Sequence, residues 1–277
     1  MNASNAPVRI CAAYKVFNGE LYLPWSMQSI YDTVDRIVIF LSTRPWNGPV
    51  VPMDGTEAAI RAFPDPDGKI EYVVRDFRRS DDPADSYANE LSEMNELLDH
   101  VRSAYPDITH YLYIDADEVY TPAGIASLRA LMAGFPKAGQ FHCPWRCYWK
   151  SFRYWIDPME PGQPLVAFRI APDTRFTGIR QTNMDVRIVV APGFLHLHHF
   201  SYALPTPLVE QKLRAWSHCA EVVDGWLERV WLAWDAQRDL ERLHPVRPEH
   251  FARAVRADEA TLPPVMGTHP YFGRDIV

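Results

Sequence analysis

The chain has 277 residues and a formal net charge of −7, a balance that argues against non-specific nucleic-acid binding, which draws on a basic surface. Its 47% hydrophobic and 13% aromatic content is that of a globular chain with a substantial core. Residues 1–6 are polar with no apolar signal core, and no run approaches the roughly 20 apolar residues of a membrane span. A soluble, cytoplasmic protein with no transmembrane segment is expected, with self-association and peripheral membrane contact left open.

In chain order, residues 8–14 read as a first strand, 21–31 as a helix through Leu23, Met27, Ile30 and Tyr31, and 36–41 as a continuous apolar strand. These form a β-α-β unit. A helix over 56–63, a strand over 70–74 and a long helix over 84–104 follow, the last with Tyr87, Leu91, Met94, Leu97, Leu98 and Val101 facing the core. Strands alternating with helices predict a mainly parallel sheet flanked by helices.

Residues 111–114 form a short core strand ending in Asp115-Ala116-Asp117-Glu118. Three carboxylates in four residues repel one another unless a cation sits among them. Hard oxygen ligands at a strand's carboxyl end suit Mg²⁺ or Mn²⁺, in the place where open α/β sheets bind ligands. A solvated acidic turn before the helix at Pro122 is the plainer alternative.

After that helix, residues 140–155 are dense in aromatics interleaved with Arg146, Lys150 and Arg153. This composition suits a core strand pair with a polar rim or a sugar-stacking surface. Strands are expected at 166–170, 186–190 and 194–202, a helical stretch at 207–240, and a short helix near 249–257. Alternation in the 194–202 strand sends His196 and His198 to one face and His199 to the other. Cys11, Cys143, Cys147 and Cys219 lack the paired spacing of a zinc site and read as free thiols.

The turn Asn18-Gly19-Glu20 before a helix, the strand Val34-Asp35-Arg36-Ile37-Val38-Ile39, Asn95 on the long helix, and Asp115-Ala116-Asp117-Glu118 as a DxD motif occur together in this order. In this the chain resembles family 2-like glycosyltransferases of the GT-A fold over residues 8–120, and more faintly to about 218 through Leu197-His198-His199-Phe200-Ser201-Tyr202. The resemblance implies a single GT-A-like, Rossmann-type α/β domain over 1–277, with a nucleotide-binding half (8–120), an acceptor half (121–277) and a helical C-terminal segment. It implies metal-dependent transfer of a sugar from a nucleoside-diphosphate donor, UDP-sugar favoured, to a glycan or other hydroxyl acceptor. Ala13, Tyr14, Lys15, Asn18, Glu20, Asn95, Asp115 and Ala116 would line the nucleotide-sugar site, with Tyr14 stacking on a base and Lys15 meeting a phosphate. Asp115, Asp117 and His198 would hold Mn²⁺ or Mg²⁺, with Glu118 supporting them.

The pattern departs from the family in three places, the first being Met94 where the family's Arg precedes the Asn of the long helix. The second strand ends Phe40-Leu41-Ser42-Thr43, without the family's carboxylate. The place of the family's catalytic base falls at Arg180-Gln181, and Gln181 cannot take a proton, so Asp185 is the candidate base if transfer inverts. A nucleotidyltransferase shares the sheet and the paired carboxylates but usually has a Gly-rich basic loop after the first strand. A non-catalytic nucleotide-sugar-binding module remains the third reading. Lys212 and His218 lie on the following helix, where they either face a phosphate or sit exposed.

Overall fold

The computed structural model describes residues 7–276, so the polar stretch 1–6 lies outside it. The elements are β1 (Ile10–Val16), α1 (Leu23–Ile30), β2 (Arg36–Ser42), α2 (Thr56–Ala62), β3 (Ile70–Arg75), α3 (Ser86–Ala104), β4 (His110–Tyr113), β5 (Glu118–Val119) and α4 (Pro122–Gly134). Then come β6 (Gln140–His142), β7 (Trp145–Trp149), β8 (Ser151–Asp157), β9 (Leu165–Arg169), β10 (Phe176–Gly178), β11 (Gln181–Thr182), β12 (Arg187–Val189), β13 (Leu197–Tyr202), α5 (Thr206–Ala215) and β14 (Arg253–Arg256).

The protein is an α/β protein built on a seven-stranded sheet of order β12-β6-β9-β4-β1-β2-β3. Strands β4, β1, β2 and β3 are mutually parallel, and β9 runs antiparallel between β4 and β6. Both faces are covered, which is why β1 and β2 read as continuous apolar runs. On one face Ile10, Ala12, Tyr14 and Val16 of β1 join Leu23, Met27 and Ile30 of α1 and Ile125, Leu128 and Met132 of α4. On the other, Cys11 and Ala13 meet Met94, Leu97, Leu98 and Val101 of α3. Tyr87 departs from the expected α3 core face: it is 43% exposed, while Glu90 and Glu93 are turned inward.

A second sheet, of order β14-β8-β7-β13-β5, carries the aromatic block. Trp149 packs among Trp226, Trp231, Trp234 and Phe251, and Tyr148 stacks on Phe200 at 4.4 Å. The aromatics of 140–155 therefore belong mainly to the core, apart from Trp145 at the cavity described below.

Two helical expectations are corrected. The stretch 207–240 is not one helix: α5 ends at Ala215, Trp216 turns extended, and Gly225 takes φ +64. The chain then re-enters as a single π-helical turn over Leu227–Trp231. The tryptophans Trp226, Trp231 and Trp234 all converge on Trp149. Near 249–257 a short 3₁₀ turn precedes β14, whose backbone pairs with β8. Among the described residues no helix is long and apolar enough to cross a membrane.

Candidate active site

Because β1 and β4 are parallel neighbours, their carboxyl ends open side by side. A cavity of about 500 Å³ lies there, lined by Lys15 to Gly19 at the end of β1 and in the turn that follows, and by Asp115, Ala116 and Asp117 after β4. Gly19 is what lets the two loops meet: a Cβ there would come 2.8 Å from Val16 Cγ1 and 3.0 Å from the Ala116 Cβ. The opposite wall is built from β13, α5 and the segment around His244 to Phe251.

Glu118 shapes the acidic turn from beneath. It is fully buried, accepts the Asp115 N–H at 2.9 Å on Oε2, and accepts the Trp145 indole N–H at 2.9 Å on Oε1. Arg180 crosses from the β10–β11 turn, where its backbone takes the left-handed φ of +53. Its Nη2 donates to Asp115 Oδ2 at 2.8 Å and to Glu118 Oε1, and the guanidinium lies 4.2 Å from the Tyr113 ring and 4.8 Å from Trp145. Lys15 Nζ sits 3.2 Å from Asp115 Oδ1 and 2.9 Å from Glu90 Oε1. Across the cavity, Lys212 Nζ donates to Asp117 Oδ2 at 3.2 Å, and His199 Nε2 is 3.5 Å from Asp117 Oδ1. Lys212 lies one helical turn beyond Val209, a fully buried anchor of α5, which sets its direction.

These contacts decide the electrostatics. Burial pushes the Asp115 carboxyl up, but Lys15 and Arg180 outweigh it and bring it down to about 2. Burial likewise opposes ionisation of Asp117, and Lys212 and His199 overcome it to hold the carboxyl well below the usual range. Glu118 goes the other way: burial raises it and Arg180 offsets only part of that rise.

The structure brings Lys15, Asn18, Asp115, Ala116 and Asp117 to the cavity and moves other expected site residues away from it. Tyr14 points to the opposite face of β1, where its hydroxyl meets Ser26 Oγ at 2.9 Å, so it cannot stack on a base. Ala13 is packed in the α3-side core. The Glu20 carboxylate accepts the Gly55 N–H at 2.9 Å and holds the 52–55 loop. Asn18 lines the cavity, and its amide also braces that loop through Pro52 O and the Asp54 N–H. Asn95 ties α3 to β10 through both the N–H and the carbonyl of Phe176.

His198 is a correction forced by strand alternation. Its ring faces Tyr148, with Nδ1 2.9 Å from the hydroxyl, while the neighbouring His199 turns to Asp117. Asp185 is exposed at the outer edge of the large sheet, its backbone beside Gly139, and does not line the cavity. Residues that sequence reasoning passed over stand in their place: Trp46, Glu90, Glu160 and Arg180. Arg180 occupies the place where the family's base is expected, and of its two expected settings Lys212 takes the one facing the cavity.

The donor set does not fit the divalent ion that a DxD motif implies. The four oxygens of Asp115 and Asp117 face nitrogen atoms of Lys15, Arg180, His199 or Lys212, so their negative charge is already balanced by cations at the site. Among the described residues, no group of three or more His, Cys, Asp or Glu side chains is arranged to hold a metal.

No family model matches the chain, and no curated protein matches it. Among solved structures it is similar to glucosyl-3-phosphoglycerate synthase from Mycobacterium tuberculosis in complex with Mn²⁺, UDP and phosphoglyceric acid, at a TM-score of 0.33 and 14% identity over 51% of this chain and 45% of that one. It is also similar to S. aureus TarS, at a TM-score of 0.41 and 8% identity over 75% of this chain and 40% of that one. A 1–349 form of TarS matches at 0.41 and 10% identity over 73% of this chain and 63% of that one. The chain thus spans less than two thirds of the length of each, and at these scores no residue takes a role from them.

Proposed function

We propose that the protein is a glycosyltransferase of GT-A-like fold that moves a sugar from a nucleoside-diphosphate donor, UDP-sugar preferred, to an acceptor hydroxyl. The observation that carries this reading is the cavity itself. It joins the turn after β1 to an acidic turn after β4 at the carboxyl end of a parallel sheet, with cations on its far wall. The order of motifs from Asn18 to Asp117 supports it.

Sugar transfer breaks the bond between the anomeric carbon and the diphosphate oxygen and forms one to the acceptor oxygen. The acceptor proton must go to a base, and the nucleoside diphosphate leaves with the bonding pair. Among the described residues, five carboxylates line the cavity: Asp54, Glu90, Asp115, Asp117 and Glu160. Glu90, Asp115 and Asp117 are paired with lysine or arginine, and Asp54 is bound by Thr56 and the Glu20 N–H. Glu160 is held instead by His250 Nδ1 at 3.0 Å and by the Cys147 thiol at 3.7 Å. That thiol also touches His199, which reaches Asp117, so Glu160 stands two side chains from the acidic turn. We assign it the role of acceptor base, in place of Asp185, with His250 orienting it.

A thermal-shift screen of UDP- and GDP-sugars tests the donor, since a ligand bound by the native state raises its stability. Stabilisation by none of them would overturn the reading. With a binding donor in hand, nucleotide release measures turnover. Glu160→Gln should slow it by about 10²–10⁴-fold while leaving donor binding intact, and Asp185→Asn should leave it unchanged. Full turnover by Glu160→Gln would remove Glu160 from the mechanism.

A further inference from the structure

The geometry points to a diphosphate site that works without a divalent ion, in which Lys212, flanked by His199 and joined by Arg247 at the cavity mouth, receives the anionic leaving group. This rests on the donor reading above. Each carboxylate oxygen has a second lone pair, so lone-pair count is not the obstacle to a metal. Charge is. Glu90, Asp115, Asp117 and Glu118 face three permanent cations, Lys15, Arg180 and Lys212, and the imidazole of His199. Within this cluster at most one negative charge is left over, which is little to hold a dication against three permanent cations a few ångströms away.

Two of those cations cannot step aside. The Lys15 and Arg180 side chains are only 7% and 9% exposed, and moving either would strand buried carboxylates. Lys212 differs. Its side chain is 25% exposed, and besides Asp117 it donates, among the described residues, to the Ser201 hydroxyl and to the Ser201 carbonyl at 3.3 Å. Those acceptors take its three N–H groups, but the two on Ser201 are neutral, so the ammonium can give them up for a diphosphate entering the cavity, and Arg247, exposed on the same lining, adds a forked donor. Asp117 then holds Lys212 at the wall through an oxygen that asparagine would also offer, and is not itself a ligand of the anion.

The test is calorimetric titration of UDP into the full chain, in EDTA and in Mn²⁺. The two dissociation constants should agree within about twofold, and Lys212→Ala should weaken binding in EDTA by about tenfold or more. Lys212→Arg should retain most of the affinity. Asp117→Asn gives an opposite sign in the two models: without a metal it removes a repelling charge and should bind UDP at least as tightly. As a metal ligand its loss would weaken binding. UDP binding that appears only with Mn²⁺, or that falls in Asp117→Asn, would overturn the inference while leaving the donor reading standing. Failure of both UDP and GDP to bind in either buffer would overturn both.

Discussion

Arg180 is where the site and the stability of the fold meet, and replacing it by methionine separates the two. Its side chain is 9% exposed and that of Glu118 is 0% exposed, so the substitution leaves a buried carboxylate without its cation. Glu118 would keep the Asp115 N–H and the Trp145 indole, and Asp115 would keep Lys15. Removing one partner of a buried pair costs about 3–5 kcal/mol, and the stacking of the guanidinium on Tyr113 and Trp145 falls within that range of loss. The cost depends on pH. Burial raises the Glu118 carboxyl and Arg180 lowers it, so in Arg180→Met it rises further. A carboxyl raised in the folded state contributes stability that is present at low pH and is lost as pH climbs through the folded value. The deficit of Arg180→Met should therefore be largest near pH 8 and shrink toward pH 5. Urea unfolding of the parent, Arg180→Met, Glu118→Gln and the double variant at both pH values measures it. The double variant should recover most of the loss, because the neutral amide no longer needs a cation. A cost below about 1 kcal/mol at pH 8, or no recovery in the double variant, would refute the pairing argument.

Glu93 is fully buried, with Oε2 2.5 Å from the Trp46 indole and Oε1 without a partner among the described residues. Burial pushes its carboxyl from 4.5 up to about 7, against the opposing pull of Trp46 and Lys15. The associated stability is whole below pH 4.5 and lost as pH rises through about 7, at ~1.4 kcal/mol per pH unit. Glu93→Gln, which keeps an acceptor for Trp46, should exceed the parent by about 3 kcal/mol at pH 8 and match it near pH 4.5; a gap independent of pH would contradict this. His198→Ala should lower stability by about 2–4 kcal/mol, since it empties a buried site packed against Tyr148, yet leave UDP titration unchanged. His199→Ala should weaken that titration; the reverse pattern would place the functional imidazole at His198.

The parallel sheet was legible because a strand buried on both faces leaves a continuous apolar run, as in Ile37 to Leu41 and Tyr111 to Ile114. Strand alternation likewise separated His198 from His199, although it could not say which face was the cavity. Lys15 was expected at a phosphate; the structure pairs it with Asp115, because β1 and β4 are parallel neighbours that end together. Sequence distance hid the rest. Arg180 reaches an acidic turn 65 positions away only because the β10–β11 hairpin folds back over it, and Lys212 meets Asp117 from 95 positions on. Glu160 is a loop residue with no periodic pattern to mark it, and it became a candidate only when its neighbours proved to be His250 and Cys147 rather than lysine or arginine. Local pattern therefore determined which segments are strands and where the carboxylates stand. Which charges face those carboxylates, and so whether the acidic turn presents bare oxygens or closed ion pairs, depends on long-range packing. The physical reason is that ion pairing falls off with distance in space and is blind to separation along the chain.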